Sequence, residues 1–196
     1  VFGDWEVGTK EEKAKIVAYK KDNLIEQFLT ERCIHTLSVL MRSSLIKKIG
    51  LWDVNIKRNQ EIDFHLRGVL AGGKFEYQPG VCGLWRTHEE ERIANSSGFS
   101  SAIHFYKKWE NILREKKIWD LPMAEGINKN YMWFLGNYPQ SSDVEMKKLL
   151  LEMIRLQPDH PNFSSFKFKA CCSLLGKNRI LDFWIYRYKA RQQSNK

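Results

Sequence analysis

The 196-residue sequence predicts a mixed α/β fold, α+β as a fragment, with a few strands and short helices in 1–97 and an all-helical C-terminal extension in 98–196. Three observations predict it. Before residue 98, apolar runs of strand length alternate with short amphipathic stretches. From Gly98 onward, apolar residues recur at helical spacing only. Positive charge is gathered at the end: from Lys167 to Lys196 there are eight Lys or Arg and one acid, Asp182, so this stretch carries +7 of the chain's +9.

The elements follow in order. Val1–Val7 alternates as a strand does. Asp22–Thr30 is a short helix with Asp22 or Asn23 as its cap. Thr36–Met41 is apolar enough for a buried strand. Ser43 or Ser44 caps the next helix, which Gly50 ends. A further helix starts after Asn59, with Ile62, Leu66, Val69 and Leu70 on one face and Gly72-Gly73 as its stop. Lys74–Gln78 and Val81–His88 are two strands flanking a Pro79-Gly80 turn, and the polar Glu89–Ser97 stretch is a mobile loop. Beyond it, helices are expected near Ser100–Lys117, Ala124–Tyr138, Ser142–Leu156 and Ser164–Arg191, the last broken at Gly176-Lys177-Asn178.

Composition narrows the function classes. At 43% hydrophobic the chain can bury a real core. No stretch approaches the roughly 20 apolar residues of a membrane span. Cys33, Cys82, Cys171 and Cys172 have no zinc spacing and are expected as reduced thiols. Charge confined to the tail, with no recognised motif, argues against a nucleic-acid partner.

The segment Asn59–Pro79, NQEIDFHLRGVLAGGKFEYQP, carries the most chemistry. Glu61 and Asp63 fall in the first turn of a helix. Acids there favour the macrodipole, and Asp63 can pair with Arg67 one turn on. The other reading sets a carboxylate in a cleft as a general base that takes a proton from an attacking hydroxyl. Trp85, next to Arg86, is either core or a platform for a sugar or base. His65 is expected to be structural, and His35, His104 and His160 form no constellation. Trp5 and Trp52 are expected in the core.

Four segments in order bear on that choice. They are Arg42-Ser43-Ser44-Leu45-Ile46 running to Gly50-Leu51-Trp52-Asp53, then Gln60-Glu61-Ile62-Asp63 to Arg67, then Gly72-Gly73-Lys74-Phe75-Glu76-Tyr77-Gln78-Pro79, then Arg86-Thr87-His88. In this order and spacing the run from about Cys33 to His88 resembles the C-terminal half of a family-2 glycosyltransferase domain. The resemblance implies the acceptor-side half of a GT-A domain. It also implies inverting transfer from a nucleotide-sugar to a glycan or lipid-linked acceptor, as in polysaccharide biosynthesis. Glu61 occupies the catalytic-base position, where the family usually has Asp. Asp63 matches the second acid and holds the acceptor or braces Arg67. Asp63, Arg67 and Trp85 are thus the acceptor-binding candidates. Arg86 and His88 match groups that meet the donor diphosphate or its metal, and His88 is otherwise a loop or capping histidine. The family's Asp-x-Asp metal motif is absent from these residues. With an opening VFGDWEV that looks like mid-protein sequence, this implies a truncated domain of a longer enzyme. The divalent metal, Mn or Mg, is expected in the full-length enzyme and none in this portion, which alone is expected to be inactive.

The tail mixes basic with apolar and aromatic residues. Ile180, Trp184, Tyr188 and Arg191 share a helical stripe. Such a helix suits an anionic membrane surface, so 164–191 is a candidate peripheral contact and the expected location is cytoplasmic or on the inner face of a membrane. The competing reading is packing on the rest of the chain with a solvated basic face. A non-catalytic basic helical module that binds an anionic membrane surface or polymer is the alternative to the enzyme.

Overall fold

The structure, a computed structural model, describes residues 1–9, 12–18, 22–31, 34–86, 98–138 and 141–194. It is mixed α/β, and its contacts divide into two units, Val1–Ser96 and Ser97–Lys196.

In the first unit, β1 (Phe2–Gly8) is the middle strand of a three-stranded sheet. β2 (Lys13–Ile16) pairs with it antiparallel, and β3 (Tyr77–Arg86) pairs with it parallel. A middle strand is paired along both edges, and β1 buries four consecutive residues, Phe2 to Trp5, so both of its faces are covered there. Gly3 leaves no room for a side chain against β3: a Cβ there would lie 2.6 Å from Cys82 Sγ and 2.9 Å from the Gln78 carbonyl oxygen. Asp4 is a carboxylate inside this strand, met there by three donors. It accepts from the Ala18 amide at 3.0 Å, the Tyr77 hydroxyl at 2.7 Å and Lys15 Nζ at 2.8 Å. The Lys15 contact outweighs burial and holds the Asp4 carboxyl below its ordinary range.

The helices of this unit are short. α1 (Leu24–Thr30) is capped by Asn23, whose side chain accepts from Glu26 N, and it buries Phe28 and Leu29. α2 (Ser43–Ile49) ends at Gly50 as expected, but its N-cap is Arg42, with no side-chain cap bond, so Ser43 and Ser44 lie inside the first turn. α3 (Gln60–Leu70) follows Asn59.

Four expectations change here. Thr36–Met41 is not a strand: a 3-10 turn, Thr36–Ser38, precedes a single bridge from Val39 to Phe2. The two strands around Pro79-Gly80 are one strand. Phe2 pairs with Tyr77 and Asp4 with Val81, so β3 absorbs the Pro-Gly pair as a bulge in an edge strand, where proline costs no ladder bond. α3 buries Asp63, Phe64, His65, Leu66 and Gly68, so Leu66 alone of the predicted apolar face is fully buried. Trp52 is 43% exposed, its ring stacked on Phe64. The expected loop Glu89–Ser97 lies outside the described residues.

The second unit is helical throughout: α4 (Gly98–Glu115), α5 (Leu121–Asn137), α6 (Asp143–Leu156), a single turn at Pro161–Ser164, α7 (Phe166–Leu175) and α8 (Lys177–Ser194). Asp120, Ser142 and Ser165 cap α5, α6 and α7 by accepting from the amide three residues on. The core is aromatic and aliphatic, with Tyr106, Trp109, Tyr131, Phe134, Leu149 and Met153 fully buried. Glu110, buried on α4, is held by Arg114 at 2.9 Å and by both terminal nitrogens of Arg155 from α6. α8 turns Leu181 and Ile185 into this core and ties itself down through the Tyr188 hydroxyl, which donates to the Leu135 carbonyl at 2.7 Å. Among the described residues no helix is long and apolar enough to cross a membrane.

Candidate functional site

Because β1 and β3 run parallel, their carboxyl ends lie side by side, with Val7 opposite Trp85 and Gly8 opposite Arg86. Ligands of parallel sheets collect beyond such ends, where loops and helix starts converge. Three rings meet here. The 39% exposed indole of Trp85 stacks on the His35 imidazole, with centroids 5.6 Å apart and planes 26° apart. Trp5 lies 6.0 Å from Trp85 and 5.2 Å from His35, and closes the cluster from the buried side.

His35 links this cluster to α3. Burial pushes its pKa down, and the negative charge of Glu61 pulls it partly back. The ring is fixed by its own backbone: His35 Nδ1 accepts from the Leu37 amide at 3.4 Å, as cap of the 3-10 turn. A neutral imidazole accepting at Nδ1 carries its proton on Nε2, so His35 presents an N–H donor. Glu61 lies in the first turn of α3 and is half-buried, and its charge acts on His35.

The other predicted residues separate into distinct roles. The Asp63 side chain is 1% exposed and its Oδ2 accepts from Arg67 Nε at 2.9 Å. The two remaining Arg67 nitrogens donate to the carbonyls of Ile49, at 2.6 Å, and Leu51, at 2.9 Å. Of the two roles open to Asp63, the geometry is that of the brace. It aims Arg67 at the carbonyls of Ile49 and Leu51 at the end of α2. Arg86 stands exposed at the end of β3. His88 lies outside the described residues. His65 is buried against Phe28, centroids 5.1 Å apart, with Nδ1 lacking a hydrogen-bond partner, as suits a structural histidine.

The residue missed in the sequence is His35. It has one local signal, a His-x-x-Ser capping pattern in which Ser38 Oγ accepts from the His35 amide. Its approach to Trp85 and Glu61 is tertiary and has no local signature. Among the described residues no group of three or more His, Cys, Asp or Glu is placed to hold a metal ion.

Compared with known proteins, the chain matches no family model, no curated protein and no solved structure.

Proposed function

We infer that the Val1–Ser96 unit is the acceptor side of an inverting glycosyltransferase, with Glu61 as general base. The observation that supports this is the stacked His35–Trp85 pair at the carboxyl ends of two parallel strands, with the negative charge of Glu61 acting on His35. The order of motifs from Arg42 to Arg86 gives it a second, independent support.

Each group has work suited to it. A sugar hydroxyl is a weak nucleophile until its proton leaves, and the half-buried Glu61 carboxylate accepts that proton as the oxygen attacks the anomeric carbon. The bond from that carbon to the donor diphosphate breaks with inversion, and the diphosphate keeps the electron pair. Arg86, at the strand end, supplies positive charge for it. The exposed face of Trp85 fits the apolar face of a pyranose, and His35 Nε2–H can donate to a sugar hydroxyl. Asp63 and Arg67 keep α3, and so Glu61, in register with α2.

The test is nucleotide release by the intact protein from a panel of nucleotide-sugars with glycan and lipid-linked acceptors. Glu61→Gln is expected to lower turnover by roughly 10²–10⁴-fold, the usual worth of a general base, with acceptor binding retained. Near-normal turnover by that variant removes Glu61 from the role.

A further inference from the structure

Of the stripe Ile180, Trp184, Tyr188 and Arg191, the first three are half-buried and Arg191 is exposed. Leu181 and Ile185 are fully buried, Trp184 and Tyr188 stack on one another at 5.5 Å, and Tyr188 is bonded to α5. Lys189 on the same side is held by Asp143 at 2.6 Å and by the Ser141 carbonyl at 2.9 Å. The outward face of α8 instead carries Phe183 (58% exposed) and Tyr186 (71%), flanked by the exposed Arg179 and Arg187.

α7 is more unusual. Its ten residues, FKFKACCSLL, are mostly apolar, yet none is buried. Phe166 is 87% exposed and Leu174 is 83% exposed. A helix with this composition ordinarily exists to bury a face. Along the chain from Lys167 onward the charge is almost all positive. The one acid in Lys167–Lys196, Asp182, is already paired with Lys147 at 2.8 Å, while Lys167, Lys169, Lys177 and Arg179 are exposed.

We propose that the outward faces of α7 and α8 form a docking surface for an anionic lipid bilayer. Phe166, Leu174, Phe183 and Tyr186 enter the interface, and the surrounding lysines and arginines meet the headgroups. An apolar protein groove would accept the aromatic residues but leave the surrounding positive charge without a partner. A bare polyanion would take the charge and leave the aromatics in water. An acidic lipid surface satisfies both at once. The inference does not rest on the glycosyltransferase reading and survives its failure.

The experiment is co-sedimentation of the 196-residue chain with vesicles of phosphatidylcholine alone and of phosphatidylcholine mixed with phosphatidylserine. Binding is expected to the anionic vesicles only, and to fall with added salt. Phe166→Ser with Leu174→Ser, and separately Lys167→Gln with Lys169→Gln, are each expected to weaken it about tenfold. All four side chains are largely solvent-exposed, so circular dichroism is expected to show unchanged folding. No binding to anionic vesicles overturns the proposal. So does binding that ignores the Phe166→Ser, Leu174→Ser change, since that is the behaviour of a simple polyanion site. Protection of the α7 side chains from water-borne labelling in the free chain overturns it as well, because the face is then already covered.

Discussion

His65 offers the sharpest test of the packing beneath the site. It is 2% exposed, it packs on Phe28, and its Nδ1 has no hydrogen-bond partner. Burial, helped by the nearby His35, pushes its pKa down to about 4. In the unfolded chain an imidazole titrates near 6.5. The group is therefore neutral in both states above about pH 7, and the folded state incurs no penalty there. As pH falls through 6.5 the unfolded chain takes up a proton that the folded chain does not, so stability falls with pH. From those two values the loss is about 2 kcal/mol at pH 5 and about 3 kcal/mol at pH 4. Urea unfolding between pH 7.5 and 4.5, followed by NMR signals of β1 residues, measures it for this unit alone. His65→Leu is expected to flatten the profile by about 2 kcal/mol at pH 5, leaving a smaller slope from His35, whose pKa is also depressed. An imidazole of His65 that titrates near 6.5 in the folded protein refutes the reasoning, and so does a His65→Leu profile as steep as the parent's.

Two further outcomes follow from contacts already described. Arg67→Met leaves the Asp63 carboxylate buried without its guanidinium and frees the carbonyls at the end of α2, so the unit is expected to lose about 3 kcal/mol in a denaturant titration. Gly3→Ala puts a methyl group 2.6 Å from Cys82 Sγ and 2.9 Å from a backbone oxygen, and β1 and β3 must part. Faster hydrogen exchange at the β3 amides, with the helical unit unchanged, is the expected signature.

Local chemistry announced itself well in the sequence. The helix starts after Asn23 and Ser142, the stops at Gly50 and Gly176, and the helical texture from Gly98 onward all depend on residues a few positions apart. What depended on distant partners was hidden. β2, Lys13–Ile16, has four residues, three of them exposed, and is a strand because β1 lies beside it. Pro79-Gly80 has the composition of a hairpin turn, yet a hairpin makes neighbouring strands antiparallel, and β3 instead runs beside β1 in parallel. The inward face of α3 was misjudged because two polar side chains, Asp63 and His65, are buried there, one paired and one neutral. At the site, the acids and Trp85 stood out by type, whereas His35 gained its place only when the 3-10 turn brought it to them.

The placement of β1 has a kinetic consequence. Among the described residues this strand lies between β2 and β3, and β3, starting with the pair Phe2–Tyr77, follows α1, α2 and α3 along the chain. Closing so long a loop costs entropy before any ladder bond forms, and parallel pairing of distant segments is slow for that reason. The contacts between helices of the second unit, such as Glu110 with Arg155 and Leu135 with Tyr188, span shorter stretches of chain and close at a lower entropic cost. Refolding is therefore expected in two phases: a fast one that restores the helices of the second unit, and a slow one in which β3 finds β1 and brings Trp85 to His35.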